Sequence, residues 1–287
     1  MTAGAVAQVP GPVLAAVMFA ALMHASWNAL VKSNSDTFLA TVLVAAAGGL
    51  VGALALPFLA PPDPASWSFI IASSLVHILS YLLLVETFRE GDISHAYPLM
   101  RGCAPLLVAL ASGPLTGERL TALQWCAIVL ICGGVLTLYA SARAASVSAR
   151  RTTLYALATA GVIACYTMID GAGVRRSGSP AAYTIWMFML TGLGVLALGM
   201  RRRPGQVLPF ARRHAALALA GGAATLGSYG IALWAMTLAP VAVVAALRET
   251  SILFATAIAA LVLRERVGLA RVAAAALVAC GAAAMRL

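Results

Sequence analysis

Apolar stretches of roughly twenty residues fill most of the chain, separated by short polar or charged breaks. A membrane-spanning helix needs about 20 apolar residues. Ten segments meet that length: 12–31, 38–59, 67–88, 93–115, 121–142, 152–171, 181–200, 215–237, 240–262 and 268–286. The breaks fall at 33–36, 61–64, 89–92, 113–119, 143–151, 175–180, 201–214, 239–240 and 264–266. No segment alternates polar and apolar residues as a membrane barrel strand would. The pattern predicts an all-α integral membrane protein of ten transmembrane helices, with connectors too short to hold a soluble domain.

Inside the apolar segments a second regularity appears. Arg101 is followed 17 residues later by Glu118 and 16 after that by Gly134, while Arg248 is followed at the same intervals by Glu265 and Gly281. The two arginines stand in the fourth and ninth segments, so the repeat period is five spans. Five is odd, and the second half therefore enters the membrane from the opposite side. This is an inverted repeat of two five-helix halves around a central cavity. Ser80 and Tyr81 before Arg101 are matched by Ser228 and Tyr229 before Arg248. The halves are predicted at 1–143 and 152–287, joined by a linker at 144–151.

Polar residues within a bilayer are costly, so each is a functional candidate. His24, Asn28 and Lys32 are spaced by four in the first span and share one helical face, as do His77 and Tyr81 in the third. Ser94, Tyr97 and Arg101 share a face of the fourth span, where Pro98 interrupts the hydrogen-bond ladder. Tyr166 and Asp170 are four apart in the sixth span. Tyr229 and Trp234 supply aromatic surface in the eighth, and Arg248 and Glu249 lie in the ninth. Spans 2, 5, 7 and 10 are almost featureless Ala/Leu/Val runs, read as an outer support. The expected substrate lining is His24, Asn28, His77, Tyr81, Tyr97, Arg101, Tyr166, Tyr229 and Trp234. Glu86, Asp170, Arg248 and Glu249 are candidates for gating or coupling. Glu118 and Glu265, each beside an arginine at a helix connection, are read as structural turn residues that cap the following span. Trp67, Trp125 and Trp186 read as interface anchors. The structural alternative for Arg101 and Arg248 is a helix-locking pair with Glu249 or Glu86; for His24 and His77 it is helix packing, and for Asp170 a place at the membrane edge.

Composition reinforces the membrane reading. Of 287 residues, 62% are hydrophobic and 10% charged, and mean hydropathy is +0.95; soluble domains carry about 25% charged residues. The net charge of +10 is almost all arginine. Most of it sits in alternate connectors, which sets orientation rather than nucleic-acid binding. Lys32, Arg89, Arg143, Arg150, Arg151, Arg201–Arg203, Arg212, Arg213, Arg264 and Arg266 mark the cytoplasmic side and place both termini outside. The first apolar run lacks a basic n-region and a cleavage site, and is expected to be retained. The five cysteines (Cys103, Cys126, Cys132, Cys165 and Cys280) lie in apolar runs without metal-like spacing. There is no zinc-protease, nucleophile-elbow or phosphate-loop motif. No enzyme activity, cofactor or metal is expected. The partners expected are a small-molecule substrate and the bilayer, with no nucleic acid, and a monomer suffices because one chain holds both repeats.

Three groups of residues in each half carry a family resemblance. They are 94–101 with Pro105, then Gly117, Glu118, Arg119 and Leu120, then Gly133 and Gly134 in the first half. In the second half they are 240–249, then 264–267, then Gly281. These resemble the EamA-type domains of the drug/metabolite transporter superfamily over essentially the whole chain. The resemblance implies ten helices, an inverted repeat and a basket-like cavity. In size and tyrosine-rich lining the chain is similar to the YddG-type amino-acid exporters. It departs from the small multidrug members, whose first-helix glutamate is absent here. The implied function is export of amino acids, hydrophobic or aromatic, or similar small metabolites across a bacterial inner membrane. Arg101 would meet the carboxylate, and Glu249, Asp170 and the tyrosines the ammonium. If Glu249 is locked to an arginine it carries no proton, and the protein works as a facilitator. Arg101, Arg248 and Lys32 leave phosphorylated or sugar metabolites as an alternative. A non-transporting assembly subunit is the alternative of another class.

Overall fold

The computed structural model describes residues 9–32, 36–90, 93–143, 150–262, 264 and 268–286. Glu265, the side chains of Lys32 and Ser94, and nearly all of the predicted linker lie outside what it describes. Among the described residues the regular structure is wholly helical. The long helices are α1 (Gly11–Lys32), α2 (Thr37–Ala53), α3 (Trp67–Glu90), α4 (Ile93–Thr116), α5 (Ala122–Arg143), α6 (Arg150–Arg176) and α7 (Pro180–Arg202). A short α8 (Val207–Arg213) leads into α9 (Ala215–Met236), followed by α10 (Val241–Leu247), α11 (Ser251–Ala257) and α12 (Leu269–Ala284). Among the described residues eight stretches are long and apolar enough to cross a membrane, α10 and α11 counting as one. α1 runs over the first predicted segment, and the last is a shorter apolar helix of 16 residues.

Local chemistry sets several of these boundaries. Asp36 accepts from Leu39 N at 3.0 Å and caps α2. Thr121 and Gln124 form a reciprocal capping box at the start of α5, at 3.0 and 3.2 Å. Pro98, Pro105 and Pro114 interrupt the ladder of α4 without ending it. Two features depart from the predicted pattern. The 201–214 break contains α8, whose Val207 and Phe210 pack with Leu39, Leu43 and Ala218 while its arginines stay exposed. The ninth segment is not one helix: a tight turn at Arg248–Thr250 separates α10 from α11. Thr250 Oγ1 donates to Leu247 O at 2.6 Å, a back-bond that tightens and bends a helix.

The most extensive helix contacts pair α5 with α12, α2 with α7, α3 with α6, α4 with α5 and α6, and α9 with α1 and α2. Two of these seams depend on glycine. A Cβ at Gly134 would sit 3.0 Å from Ala274 O, and one at Gly281 would sit 2.8 Å from Ala127 O. Both contacts join residues that exchange under a shift of 147. At the α2–α7 seam a Cβ at Gly49 would lie 3.0 Å from Phe188 O, and one at Gly192 would lie 2.7 Å from Ala45 O. These exchange under a shift of 143. Such close backbone approach is how helices associate where no hydrophobic gradient drives them together.

Both described chain ends lie on one side of the bundle, where Arg286 reaches Val9 O at 3.5 Å. Corners 54–66, 117–121, 177–179 and 237–240 lie there too, tied by Asp63 N to Ser177 O at 2.8 Å and by contacts of Glu118 with Val241. This is the terminal face. The opposite side carries α8 and the exposed Arg201, Arg202, Arg203, Arg212 and Arg213 and is the arginine face.

Candidate functional site

The break after α10 places two charged side chains in mid-bundle. Glu249 is buried, and its Oε2 lies 3.0 Å from Arg101 Nε of α4, which is also largely buried. The charges touch, but the N–H is not aimed along the contact. Among the described residues Glu249 Oε2 and Arg101 Nη2 both lack a hydrogen-bond partner. Arg101 had Glu249 and Glu86 as possible partners in the sequence. Glu86 instead faces Arg202 at 3.4 Å, toward the arginine face.

A third unpartnered atom belongs to His24 of α1. Its Nδ1 lies 3.3 Å from the Trp27 indole nitrogen. An indole N–H can only donate, so Nδ1 accepts and the ring proton sits on Nε2. That atom is buried with no partner among the described residues, and the ring lies in the field of both Arg101 and Arg248. The site thus holds two unused donors and one unused acceptor. Asn28, on the same face of α1, spends its amide on His24 O at 2.7 Å.

Arg248 turns the other way. Its guanidinium carbon lies 4.7 Å from the centre of the Tyr229 ring, a cation–π contact. Tyr229 belongs to an aromatic group in which His77 stacks on Tyr166 at 3.9 Å and meets Tyr229 edge-on at 5.7 Å. His77 Nδ1 lies 3.0 Å from Ser73 O; since a carbonyl only accepts, this nitrogen carries the proton. Beyond the rings is Asp170, fully buried within the protein. Its Oδ2 accepts from the Tyr229 hydroxyl at 2.6 Å and its Oδ1 from that of Tyr183 at 3.0 Å.

Between α4, α6 and α10 lies a cavity of about 20 Å³, lined by Arg101, Ala104, Pro105, Val108, Ile163, Thr167, Ala245, Arg248 and Glu249. That is room for about one water. The walls beyond the charges are small and mostly aliphatic. Tyr97 packs with Ala96, Leu99 and Met100, and Tyr81 against Val42, Ala45 and Val195; each flanks the site. Trp234 is a departure: it is 39% exposed. Five residues beyond Tyr229 is about 140° around a helix, so the two rings leave α9 on different sides. Tyr183, on a span read as featureless support, is a residue the sequence reading missed. Its only signal was a tyrosine near the start of an apolar run.

Glu118 also acts differently from expectation. Rather than capping α5, both its carboxylate oxygens accept from Val241 N, at 3.0 and 3.1 Å, at the start of α10. Arg175 Nη2 lies 2.7 Å from Glu118 Oε1. Arg175 was not singled out in the sequence except as loop charge. Trp67 and Trp186 pack on each other with ring centres 5.1 Å apart.

Taken together, apolar helices long enough to span and a charged cluster sealed between them define a multi-pass membrane protein. The EamA-like transporter family model matches residues 11–140 and again 150–287, and the chain belongs to that family. It is thus a membrane transporter, whose family handles small-molecule substrates. Among curated proteins nothing matches. A solved structure described as "Crystal structure of protein" shares the fold, with a TM-score of 0.73 at 18% identity over 95% of this chain and 94% of that one.

Proposed function

We propose that the protein exports amino acids with hydrophobic side chains, aromatic ones included, or closely similar zwitterionic metabolites, by alternating access. The observation that carries this is the Arg101–Glu249 pair, which leaves a donor and an acceptor unused beside an apolar cavity. Arg101 Nη2, helped by His24 Nε2–H, suits a carboxylate, and Glu249 Oε2 suits an ammonium. Ala104, Pro105, Val108, Ile163 and Ala245 suit a hydrophobic side chain.

The proposed frame is a ten-span inverted repeat with halves at 1–143 and 152–287. Its support is the reciprocity of the two glycine seams, in which each contact has a mirror under the 147 or 143 shift. A cavity with room for one water admits no amino acid until the helices part, which is why access must alternate. Because Arg101 neutralises Glu249 in the empty site, the unloaded carrier can reorient without an uncompensated charge. This favours a facilitator over an obligate proton antiporter or exchanger. The proposed location is a bacterial inner membrane; the arginine count favours the arginine face toward the cytoplasm, and a monomer suffices.

The test is flux of labelled leucine, phenylalanine, phenethylamine and a sugar phosphate into proteoliposomes. Saturable uptake of the amino acids, lost in Arg101→Gln and Glu249→Gln, is the expected result. Absence of saturable amino-acid flux would sink the proposal. The presence of both Arg101 and Arg248 in one cavity favours organic phosphates as the second reading, and sugar-phosphate flux alone would establish it.

A further inference from the structure

We infer that Glu118 and Arg175 are the lock that shuts the terminal face, and that its release is the step that opens the Arg101–Glu249 site toward that side. The inference rests on the transport reading above. Three pieces of chain meet at the lock: the α4–α5 corner, the end of α6 and the α9–α10 corner. Glu118 accepts twice from Val241 N and pairs with Arg175 at 2.7 Å. Arg175 in turn donates from Nε to Met236 O at 2.7 Å and from Nη2 to Ala239 O at 3.0 Å.

The electrostatics are matched to the helix ends. Pro240, at the N-cap of α10, has no side-chain capping group, so a carboxylate from another part of the chain satisfies the free N–H. An anion is favourable at a helix N-terminus and a cation at a C-terminus. Glu118 sits at the first for α10, and Arg175 sits at the second for α9. Each charge holds one helix end and the two hold each other.

Position makes this a gate for the site. α10 runs from Val241 through Ala245 straight to Arg248 and Glu249, all three of the latter lining the cavity. On α4 the lining residues Ala104, Pro105 and Val108 lie beyond Arg101 in the direction of Glu118. The cavity is therefore directly behind the lock. Moving the α10 terminus moves one of its walls. About a third of the Arg175 side chain is exposed, so water can replace its contacts, and the lock is reversible.

The experiment uses a full-length variant with its five cysteines replaced and a single cysteine at Ala245, reconstituted in liposomes. A membrane-impermeant maleimide is added before and after permeabilisation. With the lock intact, labelling is slow. Glu118→Gln and Arg175→Gln each raise the labelling rate by about tenfold, as expected when one charge-assisted contact no longer favours the closed state. The exchange Glu118→Arg with Arg175→Glu restores an ion pair but reverses both helix-end charges, so labelling stays fast. Labelling of both single variants at the parent rate overturns the lock. Restored protection in the exchange overturns it too, by reducing it to an ordinary ion pair. Faster labelling accompanied by loss of the cooperative melt by circular dichroism also overturns it, because the effect is then unfolding. The readout needs no substrate, so fast labelling without amino-acid flux would fault the transport reading alone.

Discussion

Removing the carboxylate of Glu249 should cost more stability than removing the guanidinium of Arg101, although they form one pair. At 3.0 Å and an effective dielectric constant of about 20, the direct attraction is about 5 kcal/mol. Losing one partner of a buried pair costs about 3–5 kcal/mol, because the survivor stays buried without compensation. The two losses differ in what survives. Glu249→Gln leaves Arg101 and Arg248 facing one cavity with no anion between them. Arg101→Met leaves Glu249 beside Arg248, one charge of each sign. The first should fall near 5 kcal/mol and the second near 3 kcal/mol on that scale. The double variant should recover about 2 kcal/mol relative to the sum, as residues in contact do. Equilibrium unfolding in mixed detergent micelles, followed by far-ultraviolet circular dichroism, measures all three. The reasoning is refuted if Arg101→Met is the costlier change, or if the two substitutions are additive.

Three further outcomes follow from other parts of the structure. Gly192→Ala drives a methyl against Ala45 O at 2.7 Å and should lower stability by about 1–3 kcal/mol, whereas Gly133→Ala meets nothing within 4 Å and should be neutral or slightly stabilising in a melting experiment. Tyr183→Phe removes one of two hydroxyl donors to Asp170 and should cost about 1.5–3 kcal/mol with little change in the KM for flux; Tyr229→Phe should cost a similar amount, and Tyr229→Leu, which also removes the ring that meets His77 and Arg248, should change KM. Amino-acid flux down its own gradient should be indifferent to an imposed proton gradient, because Glu249 is held by Arg101; a two-way dependence of flux on that gradient, measured with ionophores, would contradict this.

What could be read in the sequence was whatever depends on local cost. A buried arginine is expensive wherever it is, so Arg101 and Arg248 announced themselves, and the matched intervals to Gly134 and Gly281 pointed to the residues that form the α5–α12 seam. Choice of partner is tertiary and was not legible. Nothing in the sequence distinguishes Glu249 from Glu86 as the mate of Arg101. Neither does anything show that Glu118 would cap a helix more than a hundred residues away, when a helix four residues on was available. That nearer helix had its own capping box in Thr121 and Gln124, which released Glu118. Tyr183 was missed because a lone tyrosine in an apolar run carries no local penalty; its partner Asp170 gives it meaning. Trp234 and Tyr229 leave α9 on different sides because five residues turn a helix by about 140°, a separation that their shared span does not reveal.

The reciprocal glycine seams have one more consequence, for which contacts can tell the two states of a carrier apart. Suppose the halves exchange conformations when access switches. A pair of contacts that the exchange maps onto itself, such as Gly134 of α5 against Ala274 answered by Gly281 of α12 against Ala127, is the same before and after. It contributes equally to both states and can be as tight as packing allows without favouring either. A contact that the exchange does not return to itself, like that of Glu118 with the start of α10, ties together one face only and biases the equilibrium toward the state in which that face is shut. Stability and switching can thus be set independently: glycines along the pseudo-axis govern how firmly the molecule holds together, and a few charged groups at its rim govern which way it faces.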